Sequence, residues 1–227
     1  MSQKKLFMAI VVVAITCFGL VGALLMMMPR AVTDAQMMEA GRDPLQPDEL
    51  LVGYSIPRFE LTDQHGRPVD ESILEGEVTI LAFIFTNCPF ACPGMTAQML
   101  EHQAQLAGTG VRFLSISVDP DNDTPEVLLE YGQSRGADFE RWSFLTGPFE
   151  RVRTIVRDSL SFHVGEDASR QVTLEDGSTM NNVSHPSHLI LVGPNRQVLG
   201  IYLYHEPDAM RDLRARARAA ARIVNAG

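Results

Sequence analysis

The chain has 227 residues, 45% of them hydrophobic, and a formal net charge of −9 at neutral pH. That charge argues against nucleic acid as a partner. Three cysteines are too few for the disulfide framework of a small secreted protein, and the length suits one domain that buries a core without staples once a membrane segment is set aside.

The first five residues form a basic tip through Lys4 and Lys5. Residues 6–28 then run for 23 positions without a charge, enough helix to cross roughly 30 Å of hydrocarbon. A secretory signal has a shorter apolar region and a small-residue cleavage site; no A-x-A stands here. We expect an uncleaved anchor over residues 1–28, with Cys17 a small apolar residue in lipid. Lys4 and Lys5 favour a cytoplasmic N-terminus, a bias that Arg30 on the far flank weakens. Residues 29–50 read as a polar tether carrying Asp34, Glu39, Asp43, Asp48 and Glu49, with Pro44 and Pro47. Residues 51–227 form the domain, facing an extracytoplasmic space.

Within the domain, residues 59–69 read as two short strands around a Gln64-His65-Gly66 turn, with His65 solvated. Residues 78–85 (Val-Thr-Ile-Leu-Ala-Phe-Ile-Phe) are continuously apolar, as in a strand covered on both faces. A helical pattern follows over residues 95–106, with Met95 and Met99 toward the core. A second buried strand covers 111–118, and Thr124 or Asp123 caps the next helix ahead of Pro125. A short strand is expected within 139–145 and a helix over 150–160. Residues 165–182 are polar, with a hairpin tip at 173–178. Strands at 187–192 and 198–204 flank Gly193-Pro194-Asn195-Arg196, and a helix over 208–224 carries Arg211, Arg214, Arg218 and Arg222 on one solvated face. This order, βαβα followed by more strands and a closing helix, is that of an α/β thioredoxin-like fold with an N-terminal β-hairpin.

The stretch Phe85-Thr86-Asn87-Cys88-Pro89-Phe90-Ala91-Cys92-Pro93 lies between the first long strand and its helix, where open α/β sheets place their sites. On a helix, the i, i+4 spacing of Cys88 and Cys92 would put both sulfurs on one face. Such a pair either closes a disulfide or grips one soft metal ion. His102, His163 and His205 lack ligand spacing with it.

Three motifs together give the chain a resemblance to the SCO/SenC family of membrane-anchored copper proteins that serve cytochrome c oxidase assembly. They are the cysteine loop, Ser117-Val-Asp119-Pro-Asp-Asn-Asp123-Thr-Pro, and Ser184-His185-Pro-Ser-His188-Leu-Ile-Leu-Val-Gly-Pro. The resemblance implies that Cys88, Cys92 and His185 bind one copper ion. Thiolates suit Cu(I), and the added imidazole admits Cu(II). His188, inside the expected strand, is read as a packing residue or one standing behind the ligands. Asp119 either orients the ligands or serves as a plain turn residue, and Asp123 is read as a cap. Phe90 departs from the acidic residue that many members carry there, and Asn87 from a common His or Thr.

The function implied is a metallochaperone on the periplasmic side of the inner membrane. It would deliver copper to the copper-bearing subunit of cytochrome c oxidase, with another copper chaperone or a thiol reductase as further partners. The alternative is a tethered thiol–disulfide reductase using Cys88 and Cys92 as its redox pair. A thioredoxin-like peroxidase fits less well. Dithiol enzymes of this fold usually show Cys-x-x-Cys, and a reductase has no evident need of His185.

Overall fold

The computed structural model describes residues 42–161, 165–173, 179–184 and 186–227, within a compact unit spanning Met38–Gly227. Its elements are β1 Glu60–Asp63, β2 Pro68–Asp70, β3 Thr79–Ile84, α1 Ala91–Gln105, β4 Arg112–Ser117, α2 Pro125–Arg135, β5 Trp142–Thr146, α3 Phe149–Leu160, β6 Gly165–Thr173, β7 Thr179–Ser184, β8 His188–Val192, β9 Val198–Leu203 and α4 Pro207–Val224. The anchor expected at 6–28 lies outside the described residues, as do His163 and residues 174–178 of the expected hairpin tip. The strands flanking that tip, β6 and β7, pair with each other.

A seven-stranded sheet runs in the order β2-β1-β5-β4-β3-β8-β9. The continuous apolar run becomes β3, and all six of its residues are buried. It pairs parallel with β4 on one side and antiparallel with β8 on the other. Because every side chain of β3 is buried, both of its faces are covered, which is why the run lacks the polar alternation of a half-exposed strand. Burying a side chain such as Phe83 stabilises by about 2 kcal/mol. The expected N-terminal hairpin is present as β1 and β2, and β1 joins the sheet beside β5.

Two crossovers, through α1 and α2, step the same way along the sheet, so right-handedness places both helices on one face. A 2.8 Å hydrogen bond between Thr96 Oγ1 and Tyr131 Oη joins them. Thr124 caps α2 by accepting from Val127 N–H at 3.4 Å, Pro125 follows it, and Gly136 ends the helix at a φ of 82°. That left-handed conformation is where glycine carries no steric penalty.

Arg211 and Arg222 of the closing helix are exposed, as expected, whereas Arg214 and Arg218 are half-buried and tied to α1. Arg214 is 14% exposed and pairs with Glu101 of α1 at 3.4 Å, and Arg218 Nη2 donates to the Gln105 carbonyl at 2.9 Å. Arg216, on the opposite side, is buried. It donates to the carbonyls of Pro44 (3.2 Å) and Gln46 (2.5 Å), to Asp48 Oδ1 (2.8 Å) and to Tyr202 Oη (3.1 Å). The stretch read as the end of the tether is thus fastened to the domain, and Asp48 N–H also donates to the Leu199 carbonyl at 3.0 Å.

Candidate metal centre

β3 delivers the chain to the edge of the core at Phe85, and the loop 85–90 leads into α1. Cys88 is buried in that loop at 7% exposure, and Cys92 is buried in the first turn of the helix at 1%. The helix begins at Ala91, after Cys88, so the two sulfurs do not meet as neighbours on a helix face. A turn brings them together instead. Cys88 N–H donates to the Phe85 carbonyl at 3.2 Å and Cys92 N–H donates to Cys88 Sγ at 3.5 Å. Phe85 N–H donates to Cys92 Sγ at 3.4 Å. Each sulfur therefore faces a backbone N–H, a setting that favours negative charge on sulfur.

Both cysteines are thiols in this structure. The hydrogen bond with Cys88, followed by burial, pushes the Cys92 thiol well above its ordinary range. Negative charge on Cys88 or Asp123 acts in the same direction, and the Phe85 N–H opposes it. Cys92 thus keeps its proton until a metal ion or disulfide chemistry displaces it. Phe90, in the loop between the two cysteines, is 68% exposed. On the helix side, a Cβ at Gly94 would lie 2.6 Å from Tyr204 Cε2. Only glycine lets that ring lie against the first turn of α1.

The other residues singled out in the sequence are distributed around this pair. His185 lies outside the described residues. His188 is the first residue of β8, opposite Leu203. Burial, then the neighbouring His205, hold its imidazole below the ordinary histidine range. Asp119 sits at the end of β4, where its carboxylate accepts from Asn122 Nδ2 at 3.0 and 2.9 Å and its N–H donates to Ser117 Oγ at 3.0 Å. Met95 and Met99 are core residues, as expected.

Asp123 is not the cap it was read to be, since Thr124 takes that role. Its side chain is fully buried and points back to the cysteine loop. Oδ1 accepts from Thr86 Oγ1 at 2.5 Å, Oδ2 from Ser117 Oγ at 2.5 Å, and the Thr86 N–H lies 3.3 and 3.2 Å from the two oxygens. Burial lifts its carboxyl above the usual range, against the pull of the Ser117 and Thr86 donors. Sequence reasoning missed Thr86, Ser117 and Asp123 as a group. The available signal was Thr86 and Ser117, short polar residues at the ends of two adjacent buried strands, with Asp123 in the loop that leads from the second strand to α2.

The fold and the loop define a thioredoxin-like domain with a buried dithiol at the carboxyl end of a central parallel strand. A profile of the SCO1/SenC family matches residues 52–220. The SCO1 protein homolog of Bacillus subtilis is 34% identical over 168 residues, covering 71% of this chain and 76% of the relative. Among solved structures, BsSco, a member of the Sco family of cytochrome c oxidase assembly proteins in which a disulfide switch was identified, superposes with a TM-score of 0.60. It is 32% identical, over 76% of this chain and 98% of that one. Arabidopsis thaliana ScoI, solved with copper bound, gives a TM-score of 0.51 at 27% identity, over 66% of this chain and 88% of that one. The chain belongs to the SCO1/SenC family.

Proposed function

We propose that this protein is a copper-binding metallochaperone for the copper centre of cytochrome c oxidase. Cys88, Cys92 and His185 hold one copper ion, and residues 6–28 anchor the domain on the periplasmic side of the inner membrane. The observation that carries the reading is the buried dithiol, with two sulfurs on one turn and each facing a backbone N–H. Two soft, deprotonatable donors buried on one turn match Cu(I), and an added imidazole would extend the set to Cu(II). Family membership and the copper-bound relative support the same choice.

Binding requires both thiols to give up their protons. Cys92, whose proton is firmly held, makes uptake costlier as pH falls. The test is a titration of the reduced protein with Cu(I) against a competing chelator. One equivalent is expected, and Cys88→Ser or Cys92→Ser should abolish tight binding. Unchanged affinity in the double variant would overturn the reading.

The hydrogen bond between Cys92 and Cys88 also favours a second reading, thiol–disulfide exchange on oxidase or chaperone cysteines. Cys88 thiolate would attack a substrate disulfide and release one substrate thiolate. Cys92 thiolate would then displace the second, leaving the Cys88–Cys92 disulfide and a dithiol product, with two electrons passed to the substrate. Oxidase activity restored by added copper in a cysteine variant separates delivery from reduction.

A further inference from the structure

The cysteine loop is held from behind by a group outside the ligand set. Phe85 is the residue to which both cysteines are referred: its N–H, in the Ile84–Phe85 peptide, donates to Cys92 Sγ, and its carbonyl, in the Phe85–Thr86 peptide, accepts from Cys88 N–H. The residue that completes this peptide, Thr86, presents its backbone N–H and its hydroxyl to Asp123. The other carboxylate oxygen is tied to Ser117, which pairs with Ile84 across β3 and β4. The last ladder bond between these strands runs from Val118 N–H to the Ile84 carbonyl at 2.9 Å. Beyond it, the Asp123 carboxylate continues the connection.

We propose that Asp123 is a positioning residue of the copper site, its buried carboxylate locking the Phe85–Thr86 peptide against Ser117 so that Cys88 and Cys92 are preset for one metal ion. The proposal rests on the copper reading. Burying a carboxylate is unfavourable unless its oxygens are satisfied, and apolar packing could close two strand ends at lower cost. The carboxylate adds direction. One planar acceptor fixes the backbone and the side chain of the same residue, as supporting hydrogen bonds do for metal ligands generally. Helix α2 makes no claim on it, because Thr124 supplies the cap.

The test uses the purified full-length protein with Asp123→Ala, Asp123→Asn, Thr86→Val and Thr86→Ser, and Val152→Ala as a core control away from the loop. Three quantities are read: Cu(I) affinity, the thiolate-to-Cu(II) charge-transfer band, and deuterium exchange of the metal-free segment 85–92. Asp123→Ala and Thr86→Val should each weaken Cu(I) binding about tenfold or more, alter the band and speed exchange in the segment. The double variant should be little worse than either single. Asparagine keeps an acceptor for Thr86 and serine keeps the hydroxyl, so both should stay near the parent. Val152→Ala should lower stability and leave all three readouts in place. If Asp123→Ala fails to fold, Thr86→Val carries the test, since it leaves the carboxylate its Ser117 partner. Normal affinity, band and exchange in Thr86→Val would overturn the proposal, as would asparagine proving as damaging as alanine, which would assign the effect to charge. Failure of the copper reading is distinguishable: Cys88→Ser would then leave metal binding unchanged, while the metal-free exchange still reports on positioning.

Discussion

His102 makes the helix that carries Cys92 sensitive to acid. It lies on α1 with no exposed surface, and neither ring nitrogen has a hydrogen-bond partner among the described residues. Burial, then the positive charge of Arg214, depress its imidazole from 6.5 to about 4. The unfolded chain therefore takes up a proton as pH falls below 6.5, whereas the folded protein resists until about 4. The stability this neutral histidine allows is fully present above 6.5, declines through the interval and is gone below it. At about 1.4 kcal/mol for each pH unit, the interval caps the loss at roughly 3 to 4 kcal/mol. Asp123, whose carboxyl is raised by burial, contributes with the opposite sign, so the informative quantity is a difference between variants. Urea unfolding of residues 42–227 at pH 7.5 and 4.5, with and without His102→Leu, isolates it. The parent should lose about 2 to 3 kcal/mol more than the variant on acidification. At pH 7.5 the variant should be as stable or more so, because it no longer buries unsatisfied polar atoms. Equal pH dependence in the two proteins would refute the argument.

Arg216→Met should cost about 3 kcal/mol, because the carbonyls of Pro44 and Gln46 and the Asp48 carboxylate lose a buried partner; limited proteolysis should then cut within 42–51. A loss under about 1 kcal/mol would mean that the segment is held by other contacts. His185→Ala should remove the thiolate-to-Cu(II) band while weakening Cu(I) binding only in part, since Cu(I) is content with two thiolates and Cu(II) prefers nitrogen. His188→Ala should change the band little, and the reverse pattern would exchange the roles of the two histidines.

Much of the domain was legible in the chain because the signals are local. A continuous apolar run specifies a strand covered on both faces, and β3 is buried at every position. Proline after a short polar residue marks a helix start, and Thr124-Pro125 begins α2. The two cysteines narrow the chemistry to a disulfide or a soft metal ion by residue type, and the three motifs carried the family. None of these inferences needs a partner distant in the sequence.

What the tertiary structure decided is where polar groups go when they are buried. Asp123 reads locally as a helix cap, yet its partner Thr86 lies 37 positions earlier. Arg216 follows Arg214 on a helix rich in arginine, yet only the fold brings the segment from Pro44 to Asp48 within reach of its guanidinium. Cys88 and Cys92 have helix spacing, but the helix begins between them and a turn sets the sulfurs together. The physical reason is the same in each case. Period and propensity follow from neighbours along the chain, whereas a buried charge or sulfur is placed by donors and acceptors that only the packed sheet and its helices bring together.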